Sequence, residues 1–209
     1  MRKQSSDTLK VAILLTFIGG FLEIYSFLLK GKVFATTITG NIVLMIYSIY
    51  NFNFKEITKY LFPIIFFIIG IVLVEMLRDR FKKSSIHWRE YIVILEVVLI
   101  LIIFIFKDNK YNLLTISIIS FMSAVQIQTF KKIEETIYMS TMCTGNTRKM
   151  IESIVKKDKN GIKIFTSVVL SFAMGVIVGA IGIEYLKEMA ILLLTLPLLS
   201  VLFLIHKNI

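Results

Sequence analysis

The feature that most constrains this chain is a segment it contains twice. Residues 36–49 and 141–154 align without a gap at an offset of 105 positions. Eight of the 14 pairs are identical, with Thr36, Thr39, Gly40, Asn41, Met45, Ile46, Ser48 and Ile49 each meeting their own kind. Chance would give about one such match, so the segment is an internal repeat. Phe67 and Gly70 meet Phe172 and Gly175 at the same offset, which carries the repeat beyond the motif. Twice the offset nearly exhausts the 209 residues. The chain reads as one unit written twice, residues 1–105 and then 106–209.

Composition sets the class. Hydrophobic residues make up 56% of the chain, the mean hydropathy is +0.80, and residues 61–74 and 190–205 contain no charge at all. About 20 mostly apolar residues span a bilayer, and these runs are continuous rather than alternating, which excludes a β-barrel. The expected fold is an all-α polytopic membrane protein whose two halves form one integral membrane domain in the lipid bilayer. A net charge of +10 raises the question of nucleic acid. The basic residues sit in short segments between apolar runs, however, where topology places them, so no nucleic-acid partner is expected. The single cysteine, Cys143, rules out an internal disulfide framework. Residues 1–10 are polar, but no small-residue cleavage site closes the apolar run that follows, so that run reads as a retained helix.

Six strong spans are expected, near 9–29, 60–78, 90–106, 111–130, 163–183 and 189–206. The repeat segments, about 36–52 and 141–156, differ from these. The second carries Arg148, Lys149 and Glu152, and each charge at mid-bilayer costs about 2.5–3.5 kcal/mol. If both segments dip in or pack without crossing, only Lys30, Lys32, Lys55, Lys59, Lys107, Lys110 and Lys187 lie outside. The other 17 of the 24 Lys and Arg are then inside. Eight crossings would divide the basic residues more evenly, so six fit the positive-inside rule better. Both termini, Lys82 and Lys157 then lie in the cytoplasm. Three crossings per half make the halves an inverted 3+3 repeat.

Before each Thr-Gly-Asn the chain is Thr-rich or β-branched, over Val33–Thr39 and Thr136–Thr144, and after it comes helical material. Glycine permits an unusual backbone angle, and Asn or Thr can cap a helix. The expected arrangement is an extended piece, a glycine break and a short half-helix, twice. A half-helix N-terminus offers free N–H groups and partial positive charge, suited to an anion or polar solute. Two such ends meeting near the midplane are a recurrent transporter arrangement. The candidate substrate-binding residues are therefore Thr39, Gly40, Asn41, Thr144, Gly145 and Asn146. To these are added the intramembrane Glu23, its repeat equivalent Gln128, and Gln126. Asn41 and Asn146 should lie close together, with Glu23, Gln126 and Gln128 lining the same cavity. Glu96 reads equally as a proton site or an interhelical hydrogen bond, and Gly175, Gly179 and Gly182 as helix packing. His87 and His206 have no ligand cluster, so no metal or cofactor is expected. No nucleophile elbow, Walker loop or Rossmann pattern is present, so no enzyme is expected.

Gly20-Phe21-Leu22-Glu23, Phe34, Thr39-Gly40-Asn41, Gln126 and Thr144-Gly145-Asn146 together resemble the YoaK-like bacterial membrane proteins, a family of unknown function. The resemblance runs over essentially the whole chain. It implies about six transmembrane segments in a bacterial cell membrane, and it implies no activity. The family usually has Asp where this chain has Glu23, and often Asn where it has Ile127. Two functions stay open: a small secondary transporter or permease for a small polar or anionic solute, and a non-transporting scaffold or accessory subunit. Six helices are few for a solitary carrier, which leaves room for a homodimer.

Overall fold

The computed structural model describes residues 5–81 and 88–207. Lys82, Lys83 and His87 lie outside the described residues. Eight α-helices follow one another among those described: α1 Leu9–Leu29, α2 Ile38–Tyr50, α3 Phe54–Phe81, α4 Trp88–Ile105, α5 Asn112–Thr129, α6 Cys143–Val155, α7 Lys159–Leu186 and α8 Thr195–His206. A two-residue hairpin, β1 Lys132–Ile133 with β2 Thr136–Ile137, precedes α6 and pairs Lys132 with Ile137. Between α7 and α8 runs a 3-10 stretch, Lys187–Leu194. It opens at Lys187 with φ 52°, a backbone angle that ends a helix and redirects the chain.

The repeat is visible in the element boundaries. Helices α2 and α6 have 13 residues each and start at Ile38 and Cys143, while α3 and α7 have 28 each and start at Phe54 and Lys159. Both pairs keep the offset of 105. Packing follows it too. Helix α1 lies on α7 and α5 on α3; α2 lies on α3 and α6 on α7; α4 touches α5 as α8 touches α1, and α4 meets α8. Exchanging the halves leaves this set of partners unchanged. The first helix of each half is therefore buried against the long helix of the other.

Small residues make those crossings close. A Cβ on Gly20 would meet the Phe172 carbonyl, one on Gly175 the Phe17 carbonyl, and one on Gly70 the Phe121 carbonyl at 2.9 Å and Ala124 Cβ at 2.8 Å. Small residues let helix backbones approach where van der Waals packing, rather than expulsion of water, must hold helices together. Hydroxyls reinforce both crossings: Ser171 Oγ donates to the Ile13 carbonyl and Ser120 Oγ to the Pro63 carbonyl, each at 2.6 Å. On the far side of the long helices the surface is apolar. Ile65, Ile69, Val72 and Met76 are exposed on α3, and so are Leu170, Met174, Ile177 and Ile181 at the equivalent positions of α7.

Four stretches are long and apolar enough to cross a membrane: Leu9–Leu29, Phe54–Phe81, Asn109–Thr129 and Lys159–His206, the last comprising α7, the 3-10 stretch and α8. Helix α4 has 18 residues but carries Arg89, Glu90 and Glu96. The chain is an integral membrane protein. Two sequence expectations change in detail. The stretch near 189–206 begins as 3-10 helix and turns α-helical only from Thr195, and the hairpin adds a little β-structure to an otherwise helical fold.

The glycine contacts predict a contrast. Gly175→Ala or Gly20→Ala should destabilise by about 1–3 kcal/mol through forced separation of backbones. At Gly145, in the first turn of α6, a Cβ would meet nothing within 4 Å, so Gly145→Ala should leave stability unchanged or raise it by up to about 1 kcal/mol. Thermal unfolding in detergent measures both.

Candidate functional site

One stripe of α1 organises the interior. Ala12, Thr16, Gly19, Glu23 and Ser26 recur at helical spacing and share a face. Two non-helical segments lie along this stripe and approach Glu23 from opposite ends. The first, residues 33–37, starts at Ser26, whose Oγ donates to the Val33 carbonyl at 2.9 Å and accepts from the Ala35 N–H at 3.3 Å. It ends at Glu23. Oε2 of that carboxyl group accepts from the Thr36 N–H at 2.9 Å and the Thr36 hydroxyl at 2.7 Å, and Oε1 from the Thr37 hydroxyl at 2.5 Å. The second segment, residues 138–142, starts with Tyr138 packed near Ala12. It then presses Ser140 and Thr141 onto Gly19, where a Cβ would meet the Ser140 carbonyl at 2.8 Å and Thr141 Cγ2 at 2.9 Å. It ends at Cys143, close enough for the charge of Glu23 to act on the thiol. The starts of α2 and α6 thus converge on Glu23.

The Thr-Gly-Asn motif behaves differently from its sequence expectation. Helices α2 and α6 begin at Ile38 and Cys143, so Thr39-Gly40-Asn41 and Thr144-Gly145-Asn146 form first turns. Gly40 and Gly145 are not breaks. No side chain caps either helix. Instead each asparagine turns inward and ties down the segment before it. Asn41 Nδ2 donates to the Phe34 carbonyl at 3.0 Å. Asn146 Nδ2 donates to the Met139 carbonyl at 2.7 Å, while its Oδ1 accepts from the Met139 N–H at 3.3 Å. Both partners lie seven residues upstream, at equivalent positions of the repeat. Each asparagine serves its own half and neither bonds the other. Thr39, Thr144 and Gly145 are exposed on the outer side of these helices, Gly40 is half-buried against Phe34, and none of the four bonds Glu23.

The glutamines also part company. Gln126 is buried, and its Nε2 donates to the Leu15 carbonyl at 3.1 Å and to Ser140 Oγ at 2.7 Å, within the α1 stripe region. Gln128, the repeat equivalent of Glu23, lies elsewhere. It hydrogen-bonds Glu75, which also pairs with Arg78 at 2.8 Å and Lys131 at 3.1 Å. Gln128 therefore does not share a site with Glu23.

Two buried ionisable side chains lie outside the motif. Lys30, at 1% exposure, pairs with Glu188 of the 3-10 stretch at 2.8 Å and donates to the Lys107 carbonyl at 2.7 Å; Tyr25 donates to the same Glu188 carboxylate at 2.6 Å. This cluster locks the end of α1 to the 3-10 stretch. Its only signal in the sequence is a lysine close behind an apolar run. Glu96, fully buried on α4, has no hydrogen-bond partner at either carboxyl oxygen. It lies close enough to Tyr138 for its charge to act on the phenol. Burial pushes the Tyr138 phenol up, and the charges of Asp7 and Glu96 add to that. Among the described residues no group of three His, Cys, Asp or Glu is placed to hold a metal ion.

Removing the Asn146 side chain orphans the N–H of Met139 and leaves its carbonyl only the long 3.5 Å bond from the Met142 N–H. Asn146→Ala should therefore cost about 1–3 kcal/mol, seen as a lower unfolding midpoint. Thr144→Val, on the exposed side, should leave the midpoint near wild type.

No curated protein and no solved structure matches the chain. Residues 11–204 match a family described as DUF1275, protein of unknown function. That match covers nearly the whole length, including both asparagine ties, Glu23 and both long helices, and the chain belongs to the DUF1275 family.

Proposed function

We propose that the chain is a small secondary transporter or permease for a small polar or anionic solute, with its site where α2 and α6 begin around Glu23. The reading includes six crossings of a bacterial cell membrane, both termini in the cytoplasm, and halves inverted relative to each other. The observation that carries it is the placement of one half-buried carboxyl group at the meeting point of two non-helical segments. Irregular backbone at membrane depth belongs where it is buried in protein or lines a cavity, and intramembrane acids mark function by default.

The chemistry of the two ends differs. The start of α2 is occupied by the protein's own anion, Glu23, through Thr36 and Thr37. The start of α6 has no such carboxylate: the equivalent of Glu23 is the amide Gln128, which turns to Glu75. An anionic solute group is favoured there by the free N–H groups and the helix dipole, and it is opposed by the charge of Glu23 nearby. A proton taken up by Glu23 removes that opposition. Binding of solute and proton are then linked, each raising affinity for the other.

The scaffold reading draws on a different observation: both motif asparagines are spent on structural bonds. The two readings separate at Glu23. A screen of purified protein for thermal stabilisation by small anions, bases and metabolites identifies a solute, and uptake into proteoliposomes follows. Glu23→Gln keeps size and much of the hydrogen bonding. It should leave the folded yield near wild type while abolishing uptake or its dependence on a proton gradient. Full uptake with intact proton coupling in Glu23→Gln would remove the site from this carboxyl group.

Topology is tested separately. A cysteine placed at Lys157, in a background with Cys143→Ala, should react with impermeant maleimide only after the membrane is opened. Labelling from outside intact cells rejects six crossings with cytoplasmic termini.

A further inference from the structure

Among the buried side-chain oxygens without partners, four lie on adjoining parts of the interior: Thr16 Oγ1 on α1, Ser123 Oγ and Gln126 Oε1 on α5, and Thr141 Oγ1 in the second segment. Thr16, Ser123 and Gln126 are 1% exposed and Thr141 3%. They belong to one neighbourhood. Thr141 presses on Gly19, and Thr16 lies one turn from Gly19 on the same stripe. Gln126 reaches both Leu15, beside Thr16, and Ser140, beside Thr141. Ser123 lies one turn from Gln126 on α5. The orientation of Gln126 is fixed. The Leu15 carbonyl can only accept, so the amide nitrogen must face it and Oε1 must point away.

An unpartnered polar atom in the interior costs about 1–3 kcal/mol, and four in one neighbourhood call for an occupant. An anion does not fit, because the free groups are an amide oxygen and hydroxyls, with no lysine, arginine or free amide nitrogen among them. The segment that carries Thr141 also has a carboxyl group within electrostatic reach of each end, Glu96 at Tyr138 and Glu23 at Cys143. Hydroxyl, amide and carboxylate oxygens suit hard cations. The charge is that of a monovalent ion. Glu23 is already held by three donors, Glu96 alone is unpartnered, and a divalent site usually draws on more carboxylates.

We propose that Thr16, Ser123, Gln126 and Thr141 bind one small monovalent cation of the sodium class, balanced by the neighbouring carboxyl groups of Glu96 and Glu23. Unwound backbone and its side chains serve small cations in this way where a helix is interrupted within a membrane. The inference goes beyond the permease reading, since such an ion would bind whether or not the chain transports a solute.

The test uses purified full-length protein in detergent, unfolded thermally in sodium, lithium, potassium or choline chloride at one ionic strength. Sodium or lithium should raise the midpoint with a saturating concentration dependence, and choline should not. Radioactive sodium binding at equilibrium should approach one ion per chain. Thr16→Val with Thr141→Val removes two oxygens at nearly constant shape and should weaken the apparent sodium affinity at least tenfold. If that double variant does not fold, Ser123→Ala should weaken it in the same direction. Equal midpoints in all four salts with no bound sodium would assign the oxygens to buried water and overturn the proposal. Bound sodium without uptake of any solute would remove the permease reading alone, and uptake by a protein that binds no sodium would remove this one alone.

Discussion

Backbone that leaves the helix inside a membrane protein must find its hydrogen bonds in the protein, because lipid offers none. Everything around α1 follows from this. Two segments, 33–37 and 138–142, interrupt the helical chain, and a small set of side chains meets their needs. Ser26 serves Val33 and Ala35, Glu23 serves Thr36, Asn41 serves Phe34, and Asn146 serves both backbone groups of Met139. The repeated asparagine is the device common to both segments. In each half the amide donates to a carbonyl seven residues upstream, from a side chain short enough to reach back one loop.

The same device breaks symmetry one helix away. Glu23 and Gln128 occupy equivalent positions, yet an acid accepts and an amide nitrogen donates. Glu23 therefore gathers the threonine donors of its own segment. Gln128 turns to the carboxylate of Glu75, and Thr141, the equivalent of Thr36, keeps an unpartnered hydroxyl. A single difference in hydrogen-bond polarity has converted two similar corners into a filled one and an open one.

Much of this was legible in the sequence, and the limits have physical causes. The offset of 105 anticipates the paired boundaries of α2 with α6 and α3 with α7, because duplicated patterns build duplicated elements. Glu23 is conspicuous since an acid in an apolar run is expensive. The glycines of the motif mislead, because glycine in a helix costs only about 0.5–1 kcal/mol and the asparagine tie offsets that within the first turn. The role of Gln128 fails because position carries over through a repeat while donor and acceptor character does not. The Lys30–Glu188 pair joins residues distant in sequence, and no periodic signal connects them.

The exchange of packing partners has a consequence for synthesis. Helix α1 emerges well before its close-fitting neighbour α7, and α3 must likewise wait for α5. The glycine faces of α1 and α3 therefore stand unmatched in the bilayer while most of the chain is still being made. The native pairs close only when the second half arrives. The first half alone lacks the helix that covers α1, so the smallest unit with complete crossings is the full chain or two copies of a half. A half-length protein with this fold would be an obligate dimer, whereas two halves in one chain have a fixed stoichiometry and can differ from each other, as they do at Glu23 and Gln128.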